Sequence, residues 1–157
     1  VIGITGSIGK TSTKELAAAI FKNADKSVLA SKGTINTLIG AAITLLSVRK
    51  HHEYVILEVG ISRRGEMARI VDLARPTRGV ITTIGHSHME GLGTLSDIAR
   101  EKREIFSYGG HMVGIINGDS PYLAATAYPY PMIRFGTKTT NQIQARRIRI
   151  GSESISC

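Results

Sequence analysis

The densest chemical signal in the chain is the run Gly6-Ser7-Ile8-Gly9-Lys10-Thr11. It joins an apolar, β-branched stretch at residues 1–5 to a helical pattern that continues to about residue 21. A strand that delivers a Gly-rich turn to a helix N-terminus aims backbone N–H groups and the positive end of the helix dipole at one point, which suits a polyphosphate. Gly6 and Gly9 permit close backbone approach, Lys10 reaches toward β- and γ-phosphates, and the Thr11 hydroxyl is placed for Mg²⁺. The spacing is shorter than the general phosphate-loop pattern, because Ile4 stands where that pattern has its first Gly.

Three further positions could do chemistry. Glu58 ends the run Tyr54-Val55-Ile56-Leu57-Glu58, and ligands of open α/β sheets gather at such carboxyl ends of strands. A carboxylate there can serve Mg²⁺, which takes one or two carboxylates together with phosphate oxygens and water; a solvated or Arg-paired Glu is the alternative. His86 and His88 lack the Cys or third spaced ligand of a structural zinc site, so zinc is rejected and His86 reads as a solvated loop residue. Lys102 shares a helix face with Leu95, Ile98, Ala99 and Ile105, so its stem points inward, either to snorkel or to serve a buried site.

The elements that position these residues alternate. After the first strand–turn–helix unit, a helix is expected over 37–49, a buried strand over 54–59 and a helix over 65–74 closed by Pro76. A strand over 79–83, a Gly- and His-rich loop, a helix over 95–108 and a strand over 112–116 follow. This order predicts a three-layer α/β domain with a mostly parallel sheet. Near residues 143–150 the apolar face changes sides at Ile148, which predicts a bent or edge strand and a small antiparallel edge.

The 157-residue length fits one domain, expected over residues 1–150, with 151–157 as a disordered cut end. No apolar run approaches the roughly 18 residues of a membrane span, so no membrane insertion is expected. No secretory signal is visible, the missing initiator Met reads as the mark of a fragment, and one Cys cannot form an internal disulfide. The excess of 20 Lys and Arg over 12 Asp and Glu, a formal +8, suits an anionic partner. Nucleic acid is disfavoured because the basic residues are dispersed with little aromatic interleaving. A GTPase is disfavoured by the absence of any Asn-Lys-x-Asp motif.

Thr5-Gly6-Ser7-Ile8-Gly9-Lys10-Thr11 resembles the short phosphate loop of the Mur ligase family, and Thr13-Lys14-Glu15 resembles its continuation in the D-alanyl-D-alanine-adding branch. Gly33 with Asn36, Glu58-Val59-Gly60 with Gly65-Glu66, the Gly85 to Gly93 loop, Ile98 to Lys102 and Ile116-Asn117-Gly118-Asp119 follow in family order. The resemblance implies an ATP-binding central domain of a P-loop type. In it, Gly6, Ser7, Ile8, Gly9, Lys10, Thr11, Ser12 and Asn36 would contact ATP. Lys10, His88 and Lys102 would be catalytic. Thr11, Glu58, His88 and a carbamylated Lys102 would hold Mg²⁺.

The resemblance further implies a bacterial cytoplasmic enzyme of peptidoglycan synthesis that activates a peptide carboxylate as an acyl phosphate. UDP-N-acetylmuramoyl-tripeptide would be the acceptor and D-alanyl-D-alanine the amine. Flanking N- and C-terminal ligase domains would be missing, leaving the chain alone inactive and a weak binder of ATP. Cyanophycin, poly-γ-glutamate and folylpolyglutamate synthetases are the alternatives within the family. Thr34, Thr83 and Ile61-Ser62-Arg63-Arg64 depart from the usual family residues, and they bear on the acceptor more than on ATP.

Overall fold

The computed structural model describes residues 1–33, 35–150 and 155–156. Thr34, 151–154 and Cys157 lie outside the described residues, and with them most of the stretch expected to be a disordered end. Seven strands form one sheet in the order β2-β3-β1-β4-β5-β6-β7. They are β1 (Ile2–Thr5), β2 (Val28–Ala30), β3 (Tyr54–Glu58), β4 (Arg78–Ile81), β5 (Val113–Asn117), β6 (Met132–Gly136) and β7 (Ile143–Gln144). Every pairing in this sheet is parallel, as the strand–helix alternation predicts. The antiparallel pairing expected near the C-terminus is a separate ribbon of β8 (Arg149–Ile150) and β9 (Ile155–Ser156). The extended run breaks between β7 and β8, where Arg147 adopts a left-handed φ of 54°.

Helices cover the two faces unequally. The larger core lies under α2 (Leu38–Leu46), α3 (Glu66–Ala74), α5 (Leu95–Arg103), the 3-10 turn Glu104–Phe106 and α6 (Pro121–Ala124), and gathers Leu57, Met67, Ile70, Ile98, Phe106 and Leu123. The smaller core, Ile4, Ala18, Ile56 and Val80, lies under α1 (Lys10–Asn23). A short helix, α4 (Met89–Leu92), sits inside the segment expected to be loop. No described helix is long and apolar enough to cross a membrane.

Two helices present faces that polarity alone does not forecast. In α2 the small residues Gly40, Ala41 and Thr44 pack inward, while Ile39, Ile43 and Leu46 remain 57–80% exposed. In α1 the inward positions are Lys14 and Ala18, while Leu16 and Ile20 face out. In the first case α2 folds tightly against the segment that leads into it, since a Cβ on Gly40 would collide with Ile35.

At the far end of the sheet, the Asp119 carboxylate accepts hydrogen bonds from Thr137 N (2.7 Å), Thr137 Oγ1 (2.8 Å), Lys138 N (3.0 Å) and Asn141 Nδ2 (2.8 Å). It thereby ties the end of β5 to the turn after β6. These donors, the backbone N–H groups first, hold its carboxyl well below the usual carboxylate range. The ionised group therefore contributes stability above the ordinary Asp pKa, and that contribution is lost as pH falls toward its folded value. Asp119→Asn is expected to melt below wild type at pH 7, with the gap closing below pH about 4 in a pH series of thermal melts.

Candidate nucleotide and metal site

The strand order reverses direction around β1: the chain moves outward to β2 on one side and to β4 on the other. Such a switch point opens a crevice at the carboxyl ends of the strands, and here it is floored by the loop after β1. Gly9 caps α1 in a left-handed conformation (φ 86°), leaving the first N–H groups of the helix directed at the turn. Gly6 has φ 148°, and a Cβ there would run into Thr82 Oγ1, so the turn requires glycine at that place.

The next strand holds the loop in place. Thr82 Oγ1 donates to Ile8 O at 2.6 Å, and Ser7 N donates to Thr83 O at 2.9 Å. Ser7 Oγ donates to Gly85 O at 3.0 Å and accepts from Gly85 N at 2.9 Å. The Ser7 side chain is thus engaged in fixing the loop. Ile8 is 74% exposed at the tip, Ser12 is exposed and Thr11 half-buried at the start of α1.

Two lysines meet above this loop. Lys10 Nζ donates to Gly6 O at 2.9 Å, and Lys102 Nζ, arriving from α5, donates to the same oxygen at 3.2 Å. Lys102 is 1% exposed, so the inward face read from the sequence is correct and the snorkelling alternative is not what the structure shows. Burial, and then the neighbouring Lys10 charge, lowers its pKa from 10.5 to about 8.

Below pH about 8 the Lys102 ammonium is charged both folded and unfolded, and folding bears the full cost of burying it. Between about 8 and 10.5 the folded chain sheds the proton first, so stability rises with pH. Lys102→Met is expected to be more stable than wild type at pH 7, with the difference shrinking from pH 8 upward in urea melts.

Glu58 is 2% exposed. Its Oε1 accepts from Asn36 Nδ2 at 3.0 Å, its backbone N–H donates to Ser31 Oγ at 3.0 Å, and its Oε2 is buried without a partner among the described residues. The solvated and Arg-paired alternatives therefore do not describe it. Gly60 lets Asn36 lie across the strand end: Gly60 N donates to Asn36 O at 2.7 Å, and a Cβ on Gly60 would overlap the Asn36 side chain. A buried carboxylate oxygen lacking any donor is costly unless something cationic completes it, so the donor set at Glu58 fits a divalent cation. Among the described residues no group of three or more His, Cys, Asp and Glu could hold a metal alone. Mg²⁺ does not require one, since phosphate oxygens and water complete its shell.

Beside the loop a cleft of about 500 Å³ is lined by Lys10, Asn36, Ile39, Ser62, Glu66, Arg69, His88 and Lys102, among others. The structure therefore gathers four of the sequence-selected residues, Lys10, Asn36, His88 and Lys102, on one cavity. Glu58 lies behind Asn36, and Thr11, Ser12 and the Ile8 side chain do not line the cleft. His88, exposed and left-handed at φ 56°, caps α4 at the rim, whereas His86 is exposed and outside the lining. Sequence reading passed over Thr82, Ser31, Arg69 and the burial of Lys14. Only Thr82, at a strand end next to the loop, carried a readable signal.

Comparison with known proteins places the chain in a family. The family model described as the Mur ligase middle domain matches residues 4–157. The UDP-N-acetylmuramoyl-tripeptide--D-alanyl-D-alanine ligase of Treponema pallidum is 42% identical over 130 residues, 82% of this chain and 28% of that protein. Its counterpart in Bacillus subtilis is 37% identical over 156 residues, 98% of this chain and 33% of that protein. A crystal structure of MurF from Acinetobacter baumannii superposes with a TM-score of 0.87 at 29% identity, covering 94% of this chain and 33% of that one. MurF ligase from Thermotoga maritima in complex with ADP gives 0.80 at 32% identity, covering 87% of this chain and 32% of that one. The chain thus spans a third or less of the relatives named here. With the family model running over nearly every residue and the relatives this similar, the chain belongs to the Mur ligase family, as its middle domain.

Proposed function

We propose that this domain binds Mg-ATP for an amide-forming ligase that joins D-alanyl-D-alanine to UDP-N-acetylmuramoyl-tripeptide. The observation that carries this reading is the convergence of Lys10 and buried Lys102 on Gly6 O, at 2.9 and 3.2 Å, above a helix N-terminus. Lys10 and a row of backbone N–H groups form an anion cradle with Lys102 beside it, and the ADP complex of the similar Thermotoga maritima ligase supports a nucleotide as the anion. In the proposed reaction the acceptor carboxylate oxygen attacks the γ-phosphorus and ADP leaves. The amine nitrogen then attacks the acyl carbon, loses a proton and expels phosphate.

This chain's residues supply position and charge for that chemistry. Lys10 would move from Gly6 O to the β- and γ-phosphates, while Ser7 and Thr82 keep the loop fixed. Asn36 orients Glu58, and Arg69 gives the cleft wall a cation for an anionic acceptor. Bound Mg²⁺, held by Glu58 and Thr11 with His88 and a carbamylated Lys102 at a second position, would neutralise charge on the transferring phosphoryl group. The lowered pKa of Lys102 favours the carbamate, because the neutral amine attacks CO₂ and releases a proton. Since the domain spans a third or less of its relatives, amide formation is expected of a longer protein containing it, and weak nucleotide binding of the domain alone.

Calorimetric titration of the chain with MgATP and MgGTP, and with each nucleotide in EDTA, tests the reading. Magnesium-dependent preference for ATP supports it, whereas a strong preference for GTP would overturn it. A ¹³C carbamate resonance that appears with labelled bicarbonate and is lost in Lys102→Met tests the second metal position independently.

A further inference from the structure

Lys14 is fully buried, at 0% exposure, and the chemistry above makes no use of it. Its ammonium donates to Ser31 O at 2.7 Å and Gly33 O at 2.8 Å and pairs with Glu15 Oε1 at 2.8 Å, so its three donors have three acceptors. Glu15 is 62% exposed in its side chain, which leaves the two carbonyls as the buried part of the arrangement. Both belong to the segment that leaves the sheet after β2. Burying an ammonium there is unfavourable against a packed apolar side chain unless those carbonyls need a donor.

The held segment is bonded in turn to the end of β3. Ser31 N donates to Ile56 O at 2.9 Å, and Ser31 Oγ accepts from Glu58 N at 3.0 Å. Asn36 O accepts from Gly60 N, and Asn36 Nδ2 reaches Glu58 Oε1. Lys14 stands one turn beyond Lys10 on α1, so the helix that presents its N-terminus to phosphate also grips the segment that places the carboxylate.

We propose that Lys14 is a positioning residue: by holding Ser31 and Gly33 it sets the Glu58–Asn36 pair against the phosphate loop, and so sets the magnesium requirement of nucleotide binding. This rests on the reading of the site as a Mg-nucleotide site. Metal-free nucleotide affinity, which depends on the loop and Lys10, is left largely unchanged.

Two measurements on Lys14→Met separate this from a general loss of packing. In the metal-free chain, amide exchange at Ser31, Glu58 and Gly60 is expected to quicken about tenfold relative to wild type, the equivalent of one hydrogen bond to a charged group, with Ser7 and the β4–β5 amides little changed. In ATP titrations the Mg²⁺ concentration for half-saturation is expected to rise by about the same factor, with affinity in EDTA within about twofold. Uniformly faster exchange across the domain, or an unchanged Mg²⁺ requirement despite local opening, would overturn the proposal. Should Lys14→Met not fold, Ser31→Ala removes the link to Glu58 while keeping the lysine, and must shift the Mg²⁺ requirement in the same direction. If wild type binds no nucleotide, the proposed function fails on that result, while the exchange pattern still decides whether Lys14 holds the segment.

Discussion

Lys10→Ala is expected to bind MgATP about a hundredfold more weakly than wild type, the loss of one charge-assisted contact to phosphate in a partly desolvated site. The same substitution should leave the melting temperature within about 2 °C of wild type, as expected of a change outside the core. The asymmetry follows from the geometry. Among the described residues the one hydrogen bond the Lys10 side chain makes is to Gly6 O, and that oxygen keeps Lys102 Nζ as a donor at 3.2 Å. The loop's shape depends instead on bonds to Thr82, Thr83 and Gly85, which do not involve the Lys10 side chain. Removing the Lys10 charge also relieves a neighbour that lowers the Lys102 pKa, so Lys102 in the variant should titrate at a higher pH. Calorimetry and thermal melts on one preparation read the first two effects. Equal losses of affinity and stability would show that Lys10 is part of the fold.

The elements that a pattern could reveal were those with one consistent signal. Apolar β-branched runs marked β1, β3, β4 and β5, and the spacing on α5 placed Lys102 inward, as observed. The strand β2 escaped notice because Val28–Ala30 is a three-residue piece, half-buried throughout. The strand β6 escaped because Met132–Gly136 carries Arg134 at its centre and is half-buried at every position, so no alternation exists to read. The burial of Lys14 could not be read because its helix buries a lysine and exposes Leu16 and Ile20, the reverse of the usual polarity. Its acceptors lie 17 and 19 residues away, beyond the reach of any local pattern. The same limit applies to the site. The phosphate loop is a contiguous motif and was legible, whereas the Ser7–Gly85 clamp and the Asn36–Glu58 pair span 78 and 22 residues.

Glu58→Gln is expected to move stability and magnesium response in opposite directions. In the metal-free chain Glu58 keeps a carboxylate oxygen buried without a donor, while the other accepts from Asn36. Such an unmatched acceptor costs about 1–3 kcal/mol, more when it carries charge. Glutamine keeps the shape and the acceptor for Asn36 Nδ2 but removes the charge, so metal-free Glu58→Gln should melt about 2–4 °C above wild type, for roughly 1 kcal/mol regained in a chain of this size. Ligand binding stabilises only the state that binds it, so Mg²⁺ with ATP should raise the melting temperature of wild type and leave that of Glu58→Gln close to its value with ATP in EDTA. The curves would then cross as Mg²⁺ is added. A variant less stable than wild type without metal would mean that the carboxylate is satisfied in the fold itself. An undiminished Mg²⁺ response would remove Glu58 from the metal site and leave Thr11 and the phosphates to carry it. Crossing curves would instead identify the orphaned oxygen as a group kept at a cost to the fold for the cation it receives.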